Sequence, residues 1–154
     1  VKTSYRWEKL SAVLAEPNAA DLIRSYVEEL SPIKHIAAVD PDWDLLAHYE
    51  AQGIYKLWVA RVEGTLAGYI SFNLMTHPSY KGMLFAFDQG HFLAPAFRDN
   101  PGRIGYNMWK RVVPRLKELG VKAIWAHDNF ERPLLPFFLA LGYEPRGTMF
   151  TKVL

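Results

Sequence analysis

The stretch Gly90-His91-Phe92-Leu93-Ala94-Pro95-Ala96-Phe97-Arg98-Asp99-Asn100-Pro101-Gly102-Arg103-Ile104-Gly105 decides the fold, because a strand pattern enters it and a helix pattern leaves it. Upstream, Met83 to Leu93 is an extended apolar run. Downstream, Ile104, Met108, Val112 and Leu116 recur on one helical face. The first N–H groups of such a helix lack intrahelical partners, and the aligned peptide dipoles add partial positive charge there. An anion is the natural occupant. Pro101, Gly102 and Gly105 suit close approach of backbone to a ligand, and Arg98 and Arg103 would set full charges beside phosphate oxygens. The alternative is an ordinary loop whose glycines serve only the turn.

A chain of 154 residues fits one domain, 1–154, around a single core. With no cysteine, neither a thiol nucleophile nor a cysteine metal site is available. The net charge of +2 is slight. Lys110, Arg111, Arg115, Lys117 and Lys122 read mostly as a solvated face, so a nucleic-acid partner is weakly supported. No apolar run approaches the roughly 20 residues of a membrane span, and no signal-peptide stretch opens the chain, which predicts a cytoplasmic protein without membrane contact.

Tyr5 and Trp7 alternate with polar neighbours as a short strand extending to Leu10. Asn18 reads as the N-cap of a helix bearing Leu22, Ile23, Tyr26, Val27 and Leu30, ended by Pro32. Asp40-Pro41 signals a second helix start, with Leu45, Leu46 and Tyr49 on its face and Gly53 after it; Trp43 is read as core packing. Ile54 to Val62 and Thr65 to Met75 flank Glu63-Gly64, a hairpin signal. After the helix that ends at Gly120, Val121 to His127 is a further strand, parallel to the one ending at Leu93. A last helix runs from about Arg132 to Leu141, and Thr148 to Val153 is expected to close the sheet.

This order, with Leu93-x-Pro95-x-x-Arg98 leading into Gly102-x-x-Gly105, resembles the GNAT superfamily of acyl-CoA-dependent N-acyltransferases. Asp40-Pro41-Asp42-Trp43, the His77 to Tyr80 loop, the Gly102-Arg103-Ile104-Gly105 turn and Leu141-Gly142-Tyr143 resemble acetyltransferases of bacteriophages and prophages. The resemblance implies an α/β fold, a mixed central twisted sheet of about six to seven strands flanked by about four helices. It further implies acetyl-CoA as cosubstrate, a small-molecule or protein amine as acceptor, and no metal. By that resemblance the strand end at Phe92 and Leu93 meets the pantetheine arm. Arg98, Gly102, Arg103, Ile104, Gly105 and Tyr106 surround the phosphates, Asn129 bonds the pantetheine amide, and Phe138 lies beside the thioester. Two departures stand out. The turn is longer than the family pattern, with Arg103 where a glycine is usual, and Phe138 occupies the place of a tyrosine that protonates the leaving thiolate. Phenylalanine has no proton to give.

Attack of an amine on a thioester needs a base and an oxyanion donor. Asp88 and His91 are the first candidates, followed by His77, Tyr80 and Tyr143. Asp88 and His91 lie three apart, so a regular strand would point them to opposite faces, and only a bulge would let them share a cleft. A carboxylate in the run Leu84 to Leu93 is costly to bury without a partner, whether that partner is structural or catalytic. His77, His91, His127 and Asp128 contain no His-x-x-x-His spacing that would argue for a metal. Besides the transferase, two readings stay open: a CoA-binding or protein-interaction module without turnover, and a phage-type modifier of a host protein or nucleic acid. Monomer and homodimer are both compatible with the sequence.

Overall fold

The structure, a computed structural model, describes residues 2–31, 33, 35–99, 103–128 and 133–153. Gly102, Asn129, Pro32, Pro101 and Arg132, which the sequence reading singled out, lie outside the described residues. The elements run β1 (Thr3–Glu8), α1 (Leu10–Leu14), α2 (Ala19–Leu30), α3 (Trp43–Ala51), β2 (Tyr55–Val62), β3 (Thr65–Thr76), β4 (Leu84–Leu93), α4 (Ile104–Glu118), β5 (Val121–Trp125) and α5 (Leu135–Ala140). A 3-10 turn at Pro95–Phe97 links β4 to the segment before α4.

Among the described residues the sheet has five strands in the order β1-β2-β3-β4-β5, antiparallel throughout except for the parallel β4–β5 pair. Among the described residues the sheet thus has slightly fewer strands than the six to seven expected, and five α-helices flank it, in keeping with the expected number of about four. Residues 148–153 are exposed and outside the sheet. The pleat explains why: Phe150 falls on the opposite side from Met149 and Val153, so the segment has no single apolar face to bury. Phe150 is 89% exposed. Leu10 belongs to α1, its side chain buried there, and β1 ends before it.

The Glu63-Gly64 loop takes φ of 48° and 85°, the left-handed pair that a tight two-residue hairpin needs. Asn18 is also left-handed, and its side chain makes no cap bond. The cap of α3 belongs to Asp42, whose carboxylate accepts from the Leu45 N–H at 2.9 Å, two residues beyond the expected Asp40.

Each face of the sheet carries its own core. On one side Ile104, Met108, Trp109, Val112 and Leu116 of α4 pack with Phe138 of α5 against Trp58, Ile70, Phe72 and Ala86. The Trp58 indole N–H donates to the Met108 carbonyl at 3.1 Å, pinning α4 to the middle of the sheet. On the other side α1, α2 and α3 cover Leu57, Val59, Tyr69 and Phe92, with Trp43 packed at the margin as expected. At the β1 edge Arg61 is buried but saturated. Its Nε and Nη2 donate to the two Glu8 oxygens at 2.8 and 2.7 Å, Nη1 donates to the Gly64 carbonyl at 3.0 Å, and Nη2 also meets Glu16.

Candidate active site

Asp88 pairs with Phe72, and Gly90 pairs with Ser71, so Gln89 is an extra residue on β4. That bulge turns Asp88 and His91 to one face, and His91 Nδ1 lies 3.1 Å from Asp88 Oδ2. Gln89, displaced outward, is exposed while its two neighbours are buried. The His91 ring packs against Trp109 at 5.6 Å and Phe138 at 5.9 Å, which places the pair beneath α4 and α5.

The strand pairing opens at the same point. The β4–β5 ladder runs from Leu84 opposite Val121 to Phe87 opposite Trp125 and stops, while β4 continues to Leu93. A fork results, with Asp88 at its base. His91 stands on one arm and His127 on the other, their rings 6.4 Å apart. His127 Nδ1 lies 3.5 Å from the same Asp88 Oδ2 that meets His91. The Asp88 side chain is wholly shielded from solvent, and its Oδ1 has no hydrogen-bond partner among the described residues. The Tyr143 hydroxyl is equally buried and without a partner there. Burial, reinforced by the Asp88 charge, pushes the Tyr143 phenol well above its ordinary value, so it keeps its proton at neutral pH.

Tyr26 reaches the site from α2. Its hydroxyl accepts from the His91 N–H at 3.2 Å, and burial followed by the Asp88 charge pushes its phenol up to about 12. Gly90 permits this approach, since a Cβ there would lie 2.6 Å from Tyr26 Cε1.

Before α4, Arg103 adopts φ 49° and ψ 46°, and its carbonyl accepts from the Asn107 N–H at 2.9 Å. The N–H groups of Ile104, Gly105 and Tyr106 thus precede the first helical bond. Among the described residues a Cβ on Gly105 would meet only Leu93 Cδ2, at 3.9 Å, an ordinary van der Waals contact. These N–H groups and the Arg103 charge are a donor set that fits a diphosphate. Arg98 is engaged elsewhere: Nε donates to the Leu93 carbonyl at 2.8 Å and Nη2 to Glu29 at 2.9 Å, tying the strand end to α2. The Ala94 N–H bonds to Ala67 across β3, so strand alternation directs the Leu93 backbone groups toward the fork, where the carbonyl is already occupied.

The remaining candidates lie apart from Asp88. Phe92 is buried against Tyr26 and Tyr69, and Tyr106 stacks edge-on to Phe137 at 6.2 Å. His77 and Tyr80, 5.3 Å apart, build a separate cluster with Phe85 and Trp125. Lys110 and Arg111 lie over Tyr106 and Tyr5, and Arg115 pairs with Glu118 at 2.9 Å. Sequence reasoning missed His127 as a partner of Asp88, although carrying the parallel β4–β5 register two residues past Phe87 and Trp125 sets it opposite Gln89, next to Asp88. Tyr26 had no local signal, because only long-range packing brings it in. No group of three or more ligating side chains among the described residues could hold a metal, and no described helix is long and apolar enough to cross a membrane.

Neither family models nor curated proteins match this sequence. Solved structures do. A protein from Clostridium acetobutylicum described as a predicted acetyltransferase, with acetyl-CoA, superposes with a TM-score of 0.69 at 14% identity, covering 99% of this chain and 96% of that one. A ribosomal-protein-alanine N-acetyltransferase from Brucella melitensis biovar Abortus 2308 gives 0.71 at 16% identity over 100% and 97%. An aminoglycoside acetyltransferase from an uncultured soil metagenomic sample, in complex with trehalose, gives 0.72 at 14% over 99% and 96%. At such identities the likeness establishes a shared fold: this chain has the architecture of GNAT acetyltransferases.

Proposed function

We propose that this protein is an N-acyltransferase that moves an acetyl group from acetyl-CoA to a primary amine on a small molecule or a protein. One observation carries the reading: the strands part just beyond Phe87 and Trp125, and the bulge delivers Asp88 and His91 to that opening. When bound, acetyl-CoA supplies a thioester carbonyl open to attack. Ile104, Gly105 and Tyr106 N–H groups with Arg103 would hold its diphosphate, and the β4 arm would line its pantetheine. His91 takes a proton from the amine, with Asp88 fixing the ring through Nδ1. The three acetyltransferase-like folds, one of them carrying acetyl-CoA, support the same reading.

Thermal unfolding with increasing acetyl-CoA tests it. A ligand that binds only the folded state adds roughly 2.7 kcal/mol at a hundredfold excess over Kd. For a domain of this size that raises Tm by about 5–10 °C. An unchanged Tm at millimolar acetyl-CoA would overturn the reading, and Arg103→Glu is expected to abolish the shift. Phe138 favours a second reading, a CoA-binding module without turnover. That module would show the thermal shift but release no CoA thiol with any of a panel of primary amines.

A further inference from the structure

We propose that His127 is a second catalytic residue, the acid that protonates the departing sulfur, so that the two arms of the fork divide the proton transfers between two histidines. The inference rests on the acyl-CoA reading above. Acyl transfer moves protons at two places, off the attacking nitrogen and onto the leaving sulfur, and the two histidines stand on opposite arms with one carboxylate between them. Asp88 Oδ2 lies 3.1 Å from His91 Nδ1 and 3.5 Å from His127 Nδ1, so the carboxylate engages each ring through Nδ1 and leaves Nε2 as the nitrogen for proton transfer. The division follows from their surroundings. The His91 side chain is 18% exposed and closed in by Trp109 and Phe138, which suits a base that must stay dehydrated. The His127 side chain is 35% exposed, so it can reload from solvent after each turnover. Phe138, beside His91, offers no proton.

The step balances. An N–C bond forms and the C–S bond breaks. Two protons leave the ammonium nitrogen, one to His91 Nε2 and one to solvent. One proton passes from His127 Nε2 to sulfur, and the two imidazoles then return to their starting states through solvent. The net product is an amide, a free thiol and one proton. Among the described residues, Tyr26 on α2 and Tyr143 after α5 also feel the Asp88 charge.

The test needs no knowledge of the acceptor. CoA itself is bound to the wild-type protein and to His127→Asn, His91→Asn and Tyr143→Phe, and its thiolate absorbance is followed against pH. An imidazolium facing the sulfur lowers the pH at which the bound thiol ionises. His127→Asn is expected to raise that pH by about one unit, while Tyr143→Phe leaves it in place. Unfolding midpoints of the variants report that each is folded. CoA bound with the same thiol titration in His127→Asn and wild type overturns the role of His127 alone. A shift that appears in Tyr143→Phe or His91→Asn instead reassigns the acid and also overturns it. Failure of CoA to bind the wild-type protein overturns the underlying reading together with this one.

Discussion

Two buried charges sit on this sheet, and they are treated in opposite ways. Arg61, on β2 next to the edge strand β1, spends its donors on Glu8, Glu16 and the Gly64 carbonyl. Asp88, on β4 at the fork, has one oxygen shared between two histidines and another with no hydrogen-bond partner among the described residues. A saturated buried ion is a structural clamp, whereas an under-satisfied one marks a candidate functional site. The difference lies in what surrounds each: β1 and the hairpin loop close over Arg61, while β5 leaves β4 just where Asp88 emerges.

Substitution separates the two. Asp88→Asn is expected to cut amine-dependent thiol release by roughly 10²–10⁴-fold while leaving Tm unchanged or higher, because the group removed lacks full compensation. A protein that instead unfolds would make Asp88 a clamp like Arg61. Arg61→Leu should lower the unfolding free energy by about 1–3 kcal/mol, read by urea denaturation, since Glu8 then keeps only its bond from the exposed Arg6. The acetyl-CoA response of the folded fraction should survive, and its loss would show that the two regions are coupled.

The smallest effect is in acid. Hydrogen bonds from Arg61, with lesser help from Arg6, hold the Glu8 carboxyl below the ordinary 4.5 against the opposing effect of burial. Its contribution is thus fully present above pH 4.5 and disappears as pH falls through the lower folded-state value. Glu8→Gln should flatten the pH dependence of stability in that window, as measured by urea midpoints at stepped pH. An unchanged slope would mean that the Arg61 clamp is screened by solvent.

Local chemistry made much of the fold readable. Glu63-Gly64 specifies its hairpin through backbone conformation alone, and the α4 face from Ile104 to Leu116 follows from spacing. The site was half legible. A carboxylate in an apolar strand flagged Asp88, and the spacing to His91 implied a bulge if the two were to meet. Arg98 looked like a phosphate ligand because its neighbours in sequence suggested one, yet Glu29, 69 residues away, holds it. Residues 148–153 lie outside the sheet despite their β-forming composition, since a run of β-formers without one apolar face gains too little from joining a sheet.

By itself the sequence determined the alternation of elements, the anion-suited start of α4 and the residue types available for proton transfer, because these depend on short spacings and on side-chain chemistry. Only the tertiary structure decided that His127 and His91 face one carboxylate, that Tyr26 takes the His91 N–H, and that Arg98 is tied to α2. Those contacts depend on where β4 and β5 part and on which helix covers which face, and both are settled by packing between residues far apart in the chain.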